Sequence, residues 1–343
     1  MRLDYTEENF QTTEKEDRLR ILEELCSMAG DNTKVVKVIV PHLKCIMVMI
    51  RCNIFRPLPI IKKAGPSEDT FGLEEDIQQD PSWIHLQPVY EFFLQLIVSD
   101  SVDVRSLKGF IDPDFIQEFL LLFDSEEITE REYLKNILHR LYAKLVPRRK
   151  LIRKAITDTF NSLIHQRVKF NGTPELLDIF ASIISGFAVP LRTEHVVFFE
   201  TVIIPLHKVQ TCQRFHNELL RCAMLFVSKD QQLAHDLIKG LLKFWPYASF
   251  AKETLYLAEL LEVLDVCELG RLKEWDIIEP MFRRLTECIA SQHLQVSDRA
   301  MTYFENDFFL QIVKKYQNII FPIMVPVIDK LSIVHWHKLL RES

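Results

Sequence analysis

Glycine is scarce in this sequence, which has 8 glycines among 343 residues. Average usage in globular proteins, roughly 7%, is about three times higher. Few glycines leave few positions for positive φ, and therefore few tight hairpin turns and few backbone loops that cradle phosphate. Hydrophobic residues make up 48% of the chain and include 24 phenylalanines. This composition predicts an all-α protein with several packed layers.

Metal-binding cysteine pairs and long apolar runs are also missing. The seven cysteines are scattered, with no CxxC pair and no histidine at a zinc-like spacing, so we expect reduced thiols and no metal site. The longest apolar run, 319–328, contains two prolines and is too short to span a bilayer. Residues 1–9 are polar and acidic, unlike a signal peptide. The sequence thus predicts a soluble protein of the cytoplasm or nucleus.

Catalytic motifs are absent as well. The sequence has no GxGxxG, GxxxxGK[ST], HExxH or GxSxG pattern. Acidic pairs such as Glu126–Glu127 have polar neighbours, which favours solvated charges over an acid/base pair. His335 and His337 flank a tryptophan, and two histidines make a poor metal site. No catalytic residue or cofactor is predicted, and an enzyme of unrecognised type is kept as an alternative.

Helical periodicity recurs along nearly the whole chain and is interrupted by turn residues. The predicted helices are 18–28, 34–54, 84–98, 113–123, 130–146, 150–165, 174–187, 194–207, 217–228, 232–244, 252–266, 275–289, 297–304, 308–316 and 318–331. Alternate helices start about 40 residues apart, the period of HEAT-like helix pairs. We therefore predict a single elongated domain over 1–343, a curved superhelix of antiparallel helix pairs, with an acidic loop at 63–81. Such solenoids usually bind other macromolecules.

One segment is strongly basic although the net charge of the chain is −6. Residues 131–154 contain one acid, Glu132, and nine cations: Arg131, Lys135, Arg140, Lys144, Arg148, Arg149, Lys150, Arg153 and Lys154. A charge run is most often a solvated face. Here His139, Tyr142, Val146, Arg149 and Arg153 follow a 3-4-3-4 spacing that aligns polar and apolar groups along one ridge.

This basic ridge favours a peptide ligand. Cations beside apolar groups suit a short peptide with hydrophobic anchors and acidic or phosphorylated residues. An ordinary apolar stripe (Leu176, Ile179, Phe180, Ile183 and Phe187), which we expect to be mostly core, follows downstream, and Arg192 and His195 lie in the next turn. Nucleic acid is the alternative ligand for a basic patch, but the overall acidity and the apolar neighbours weigh against it.

Several long stretches resemble the B′ regulatory subunits of protein phosphatase 2A. They are WIHLQPVYEFF (83–93), LLLFDSEEITEREYLKNILHRLYAKL (120–145), FNGTPELLDIFASIISGFAVPL (170–191), IPLHKV (204–209), LLKFWP (241–246) and HLQVSDRAMTYFEN (293–306). The similarity runs in register from about residue 15 to residue 338. The chain looks like a divergent family member that is shortened at both ends.

The resemblance implies a HEAT-like solenoid that does no chemistry itself. The family joins a scaffold subunit and a Ser/Thr phosphatase catalytic subunit, and it recruits substrates and adaptors that carry short LxxIxE motifs. The positions that match the family's motif groove are His139, Arg140, Tyr142, Arg149, Arg153, Ile179, Ile183, Arg192 and His195. Arg192 stands where the family typically has lysine, and Asp178 where it has glutamate. The alternative is a generic helical-repeat adaptor unconnected with phosphatase.

Overall fold

The computed structural model describes residues 11–58, 82–166, 169–267 and 274–334. The predicted acidic loop at 63–81 lies outside these residues, as do His335 and His337. The described residues form helices and connecting turns, and they contain no β-strand. The predicted all-α, HEAT-like helical-repeat class is therefore confirmed.

The α-helices follow one another with short connections. They are α1 (Thr12–Ala29), α2 (Asn32–Lys34), α3 (Leu43–Ile54), α4 (Trp83–Val98), α5 (Val104–Phe110), α6 (Pro113–Leu121), α7 (Ile128–Lys144), α8 (Arg149–Gln166), α9 (Thr173–Ser185), α10 (Thr193–Phe198), α11 (Ile204–Leu206), α12 (His216–Lys229), α13 (Leu233–Lys243), α14 (Phe250–Asp265), α15 (Glu279–Ile289), α16 (Leu294–Met301), α17 (Asp307–Lys315) and α18 (Gln317–Val334). Short 3-10 turns occupy Val40–His42, Leu122–Asp124, Val146–Arg148, Cys212–Arg214 and Thr302–Glu305, and π-helical segments occupy Val35–Ile39, Phe199–Ile203 and Glu274–Ile278.

Local sequence sets many of these boundaries. Helix α6 begins where the Asp112 carboxylate accepts the Phe115 N–H at 2.7 Å, with Pro113 in the first turn, where a missing N–H costs nothing. Asn306 caps α17 in the same way by accepting the Phe309 N–H at 2.9 Å. The predicted single helix over 34–54 is observed as four successive segments: α2, a π-helical segment, a 3-10 turn and α3. Pro41 lies within this stretch and has no N–H to donate, so a regular α-helical hydrogen-bond pattern cannot continue through it.

The chain divides into two compact units. The first contains the described residues up to Thr159 together with Phe170–Ile179, and the second contains Phe160–Lys169 and the described residues from Phe180 onward. In the first unit α4 packs against α1, α3 and α7; in the second α14 packs against α13 and α16, and α15 against α18. The predicted single domain over 1–343 stays a prediction.

The repeat period is visible in the long-range hydrogen bonds within each unit. In the first unit Tyr90 donates to Glu130, 40 residues away, and Arg131 donates to Glu175, 44 residues away. In the second unit the His216 ring bonds Glu259 across 43 residues. Similar separations join Lys144 to Ile97, Lys229 to Ser185, Lys252 to His207 and Tyr303 to Leu257. Each bond therefore links one helical layer to the layer about one HEAT-like period further along the chain.

Candidate functional site

The predicted basic ridge lies on α7, on α8 and on the turn between them. Glu127 starts α7 by accepting the Thr129 N–H at 3.2 Å. Helix α7 ends at Lys144, and Pro147 lies in the 3-10 turn Val146–Arg148 before α8 begins at Arg149. The turn joins α7 to α8 without glycine, since proline tolerates the first turn of a helix.

Tyr142 joins the two arginines of α8 to the end of α7. Arg149 donates from Nε to the Tyr142 carbonyl at 2.9 Å and from Nη2 to the Ala143 carbonyl at 3.1 Å. These carbonyls belong to the last turn of α7, where acceptors lack helical partners and a cation is favoured. The Arg149 guanidinium also lies 5.3 Å from the Tyr142 ring centroid, and Arg153 donates to the Tyr142 hydroxyl at 3.0 Å. The three side chains hold one another in place.

Most of the remaining cations of the segment also have partners inside the first unit. Arg131 pairs with Glu175 at 2.8 Å and donates to the Ser125 carbonyl at 2.7 Å. Lys135 lies between Glu132 and Asp178, which raise its pKa although its burial alone would lower it. The other two cations donate to backbone carbonyls: Lys144 to Ile97 and Ser99, and Arg148 to Lys108. Six of the nine basic residues thus support the fold.

Three cations remain exposed to solvent: Arg140, Lys150 and Lys154. None of them has a hydrogen bond or ion pair with another described residue. His139, beside Arg140 on α7, is exposed too. These are the side chains of the ridge that can bind an external acid without first breaking an internal contact.

The two predicted isoleucines lie on α9 and are buried. Ile179 is 1% exposed and belongs to the first unit, whereas Ile183 is 5% exposed and belongs to the second. In the first unit α9 is anchored by the Arg131–Glu175 and Lys135–Asp178 pairs. A hydrophobic anchor would reach these isoleucines only at their small exposed edges.

The last two predicted residues lie in the second unit. The half-buried His195 ring stacks on Phe187 with centroids 3.7 Å apart and ring planes 3° apart. Glu194 lies 3.5 Å from His195 Nε2 and 3.9 Å from the Arg192 guanidinium, whose side chain is 78% exposed. Lys229 donates to the Ser185 and Phe187 carbonyls at 3.1 and 2.8 Å, which secures the end of α9. This arrangement presents one exposed cation and a stacked imidazole.

The nine predicted site residues therefore divide between the units. Six lie in the first (His139, Arg140, Tyr142, Arg149, Arg153 and Ile179) and three in the second (Ile183, Arg192 and His195). That they bind a peptide stays a prediction. The sequence reasoning assigned Phe187 mainly to the core and missed its stacking on His195. One signal was available in the sequence, since Phe187 follows Gly186 at the end of its stripe. The structure ends the helix at Ser185, two residues before the predicted end at 187.

A buried ionisable cluster in the second unit is the constellation that most resembles a catalytic one. Glu259, which is fully buried, bonds His207 Nε2 at 3.0 Å and His216 Nε2 at 2.8 Å. Both histidine side chains are also buried, at 1% and 3% exposure, so a substrate would have no access. Within the part of the chain that the structure describes, no three His, Cys, Asp or Glu side chains are placed to hold a metal. No helix among the same residues is long and apolar enough to cross a membrane.

Comparison with known proteins identifies the family. The profile described as "Protein phosphatase 2A regulatory B subunit (B56 family)" matches residues 1–343. The mouse serine/threonine-protein phosphatase 2A 56 kDa regulatory subunit alpha isoform is 40% identical over 326 residues, covering 94% of this chain and 65% of its own length. The Caenorhabditis elegans regulatory subunit pptr-1 is 40% identical over 89% of this chain and 54% of its own length.

A plant relative gives the same result. The B′ beta isoform of the Arabidopsis thaliana 57 kDa phosphatase 2A regulatory subunit is 40% identical over 84% of this chain and 58% of its own length. The chain thus spans less than two thirds of each of these relatives. With the family profile matched from end to end, the chain belongs to the B56 family of protein phosphatase 2A regulatory B subunits.

Proposed function

We propose that this chain is a non-catalytic regulatory subunit of protein phosphatase 2A, which binds the scaffold and catalytic subunits and recruits partners that carry LxxIxE-type motifs. Membership of the B56 family over residues 1–343 supports the phosphatase connection. The chain acts in the cytoplasm or nucleus. It increases the local concentration of a substrate at the phosphatase, so that dephosphorylation occurs within a complex instead of at a chance encounter.

The proposed peptide binding rests on one observation: Arg140 is free to bind a ligand, whereas Arg149 and Arg153 are held in place around Tyr142. Arg149 and Arg153 are held by Tyr142, so little side-chain entropy is lost when an acidic group binds near them. Arg140 is exposed and has no internal partner among the described residues, so its guanidinium can form a bidentate pair with a carboxylate or phosphate.

The first experiment titrates an LxxIxE peptide, with and without a phosphoserine between its anchors, against wild type and Arg140→Ala. A charge-assisted hydrogen bond contributes about 1.5–3 kcal/mol, so the substitution should weaken binding roughly ten- to hundredfold. Arg105→Ala is the matched control, because it removes one exposed arginine of the first unit that lies outside the basic segment. Arg192→Ala and His195→Ala test the predicted residues of the second unit separately.

The dependence of peptide binding on salt and the control variant test whether Arg140 binds the acidic group of the peptide. Binding of the phosphorylated peptide should weaken as ionic strength rises, since exposed charge pairs are screened beyond about 10 Å at 0.1 M salt. Binding that is indifferent to salt, or equally reduced by Arg105→Ala, would contradict the proposed role of Arg140.

The second experiment is a pull-down of the purified scaffold–catalytic dimer on the full chain. Retention of the dimer together with peptide binding supports a working substrate-recruiting subunit. Peptide binding without the dimer would mean that the chain recruits but does not deliver, and it would then compete with longer relatives. If neither binds, the chain is a helical-repeat protein whose function is separate from phosphatase.

A further inference from the structure

The helical segment between α1 and the end of α3 has an unusual charge composition. Residues 32–58 contain no aspartate or glutamate, although the chain as a whole has a net charge of −6. The same stretch contains three exposed lysines: Lys34, Lys37 and Lys44. The nearest preceding acid, Asp31, accepts the N–H and the hydroxyl of Thr33 and lies 4.0 Å from Lys34. Lys37 and Lys44 have no ion pair with a described residue.

Valines are interleaved with these lysines on the exposed side of the segment. Val36 is 55% exposed, Val38 46%, Val40 37% and Val48 53%. We call the set Lys34, Val36, Lys37, Val38, Val40, Lys44 and Val48 the valine–lysine face. Single exposed apolar residues are common on protein surfaces, whereas four within 13 consecutive positions of one helical segment are a local concentration of exposed apolar surface.

The core does not account for these four exposed valines. The segment packs against α1 and α4, and its buried side is complete without the four exposed valines. That side consists of Val35, Ile39, Leu43, Met47, Ile50 and Ile54, each at most 5% exposed. The exposed valines are therefore apolar surface beyond what the fold uses, and a bound partner would remove them from water.

We propose that the valine–lysine face binds the surface of an anionic lipid membrane. Lysine suits this role because its long apolar stem lies along an apolar surface while the ammonium stays hydrated among the headgroups. Short valine side chains allow shallow insertion at the boundary between headgroups and acyl chains. Protein interfaces differ in composition, since they are enriched in tyrosine, tryptophan and arginine and depleted in lysine. Charge complementarity therefore favours acidic lipid over an acidic protein.

The test is co-sedimentation of the full chain with vesicles of phosphatidylcholine alone and of phosphatidylcholine mixed with phosphatidylserine. We expect binding only to the mixed vesicles, with release as salt increases. Replacing Lys34, Lys37 and Lys44 together by glutamine should weaken binding about a hundredfold, since each lysine near an anionic surface accounts for about fivefold. Val38→Ser with Val48→Ser should weaken it at unchanged charge, which separates insertion from electrostatic attraction.

The matched control replaces Lys108, Lys208 and Lys314 by glutamine, because these lysines are also exposed but lie outside the face. Circular dichroism verifies that every variant is folded. The proposal is supported if the control binds mixed vesicles like wild type while the two face variants do not. Equal weakening in the control, or no binding to mixed vesicles by the wild-type chain, would overturn it, and the second result would favour an acidic protein as the partner of the face.

Discussion

Replacing Glu259 should show whether the buried cluster in the second unit is held together by charge. The carboxylate of Glu259 accepts from His207 Nε2 at 3.0 Å and from His216 Nε2 at 2.8 Å. On the other side of the His207 ring, Nδ1 faces the Ile203 and Ile204 carbonyl oxygens at 3.1 and 3.0 Å. Both nitrogens of His207 thus face oxygen atoms, which is the arrangement of an imidazolium ion paired with the Glu259 carboxylate.

The pKa values of the pair shift in the directions this geometry requires. Burial alone would raise the pKa of Glu259, but the charge of His207 and the hydrogen bonds from both histidines outweigh it and lower that pKa to about 2. Burial alone would lower the pKa of His207, but the charge of Glu259 and its hydrogen bond raise that pKa overall. A fall from the ordinary glutamate value of 4.5 to about 2 corresponds to about 3 kcal/mol of stability for the ionised carboxylate.

Two substitutions of Glu259 should lower the free energy of unfolding by different amounts. Glu259→Ala removes one partner of a buried ion pair, so we expect the free energy of unfolding to fall by about 3–5 kcal/mol. Glu259→Gln allows a neutral network, in which the amide donates to a deprotonated His207 Nε2 and accepts from His216. We expect it to cost about 1–2 kcal/mol, since charge-assisted hydrogen bonds are replaced by neutral ones. Glu262→Ala, an exposed change on the same helix, should stay within about 0.5 kcal/mol of wild type.

The pH dependence distinguishes charge from packing. The contribution of Glu259 is complete above pH 4.5 and is lost as the pH falls towards 2, because its folded-state pKa lies below the ordinary value. The contribution of His207 is complete below its ordinary pKa of 6.5 and is lost as the pH rises through the raised folded-state pKa. The advantage of wild type over Glu259→Gln should therefore grow as the pH falls from 6.5 to 4.5, because only the variant holds His207 neutral while the unfolded chain binds a proton there, and it should shrink as the pH rises above 6.5.

Urea unfolding followed by circular dichroism at a series of pH values measures these differences. Hydrogen exchange of peptides covering 204–216 and 250–265 assigns the loss to this cluster. A Glu259→Gln variant as stable as wild type would refute the charged network. So would a difference between wild type and Glu259→Gln that stays constant from pH 6.5 down to 4.5.

Two further predictions concern packing and capping. Gly240→Ala should destabilise the protein by about 1–3 kcal/mol, because the new Cβ would overlap Ile204 Cγ2. Gly109→Ala should stabilise it by about 0.5–1 kcal/mol, because no atom lies within 4 Å of the new Cβ. Urea unfolding measures both variants, and equal changes in the free energy of unfolding would show that the overlap with Ile204 does not determine the effect. Arg149→Ala should lower the free energy of unfolding by about 1–2 kcal/mol, because Arg149 caps the end of α7. Arg140→Ala should stay within about 0.5 kcal/mol of wild type, because Arg140 is exposed to solvent. Thermal unfolding measures both variants, and equal losses of stability would contradict the division into capping and solvated cations.

Most of the helices could be predicted from the sequence because their buried residues recur with helical spacing. The predicted helix over 217–228 is observed as His216–Lys229. Helix α5 (Val104–Phe110) was missed because it has seven residues and buries only Leu107, which is too little for a periodic stripe. The π-helical segment after Lys34 was also missed, since the buried positions Val35 and Ile39 still recur every four residues there.

The candidate site could be predicted in composition but not in geometry. The sequence shows that residues 131–154 are basic, but not that Lys135 contacts Asp178, 43 residues away, or that Arg149 caps α7. A count of charges therefore overestimates the surface available to a ligand. Apolar stripes are ambiguous in a similar way, because the same spacing fits a core residue and a pocket residue. Burial of Ile179 is set by neighbouring helices that the local pattern does not contain.

The HEAT-like period depends on the lengths of the helices more than on which residues form the hydrogen bonds between layers. Lys144 caps the end of α4 across 47 residues, and Lys229 caps the end of α9 across 44 residues. Both bonds satisfy carbonyls that a helix end leaves unpaired, a requirement that recurs in every layer. Other layers are joined at nearly the same offset by different chemistry, such as Tyr90 to Glu130 across 40 residues. The separation of about 40 to 47 residues recurs while the donor and acceptor change, so the repeats share no residue consensus. An insertion within one of these helices would nevertheless displace its polar contacts with the next layer.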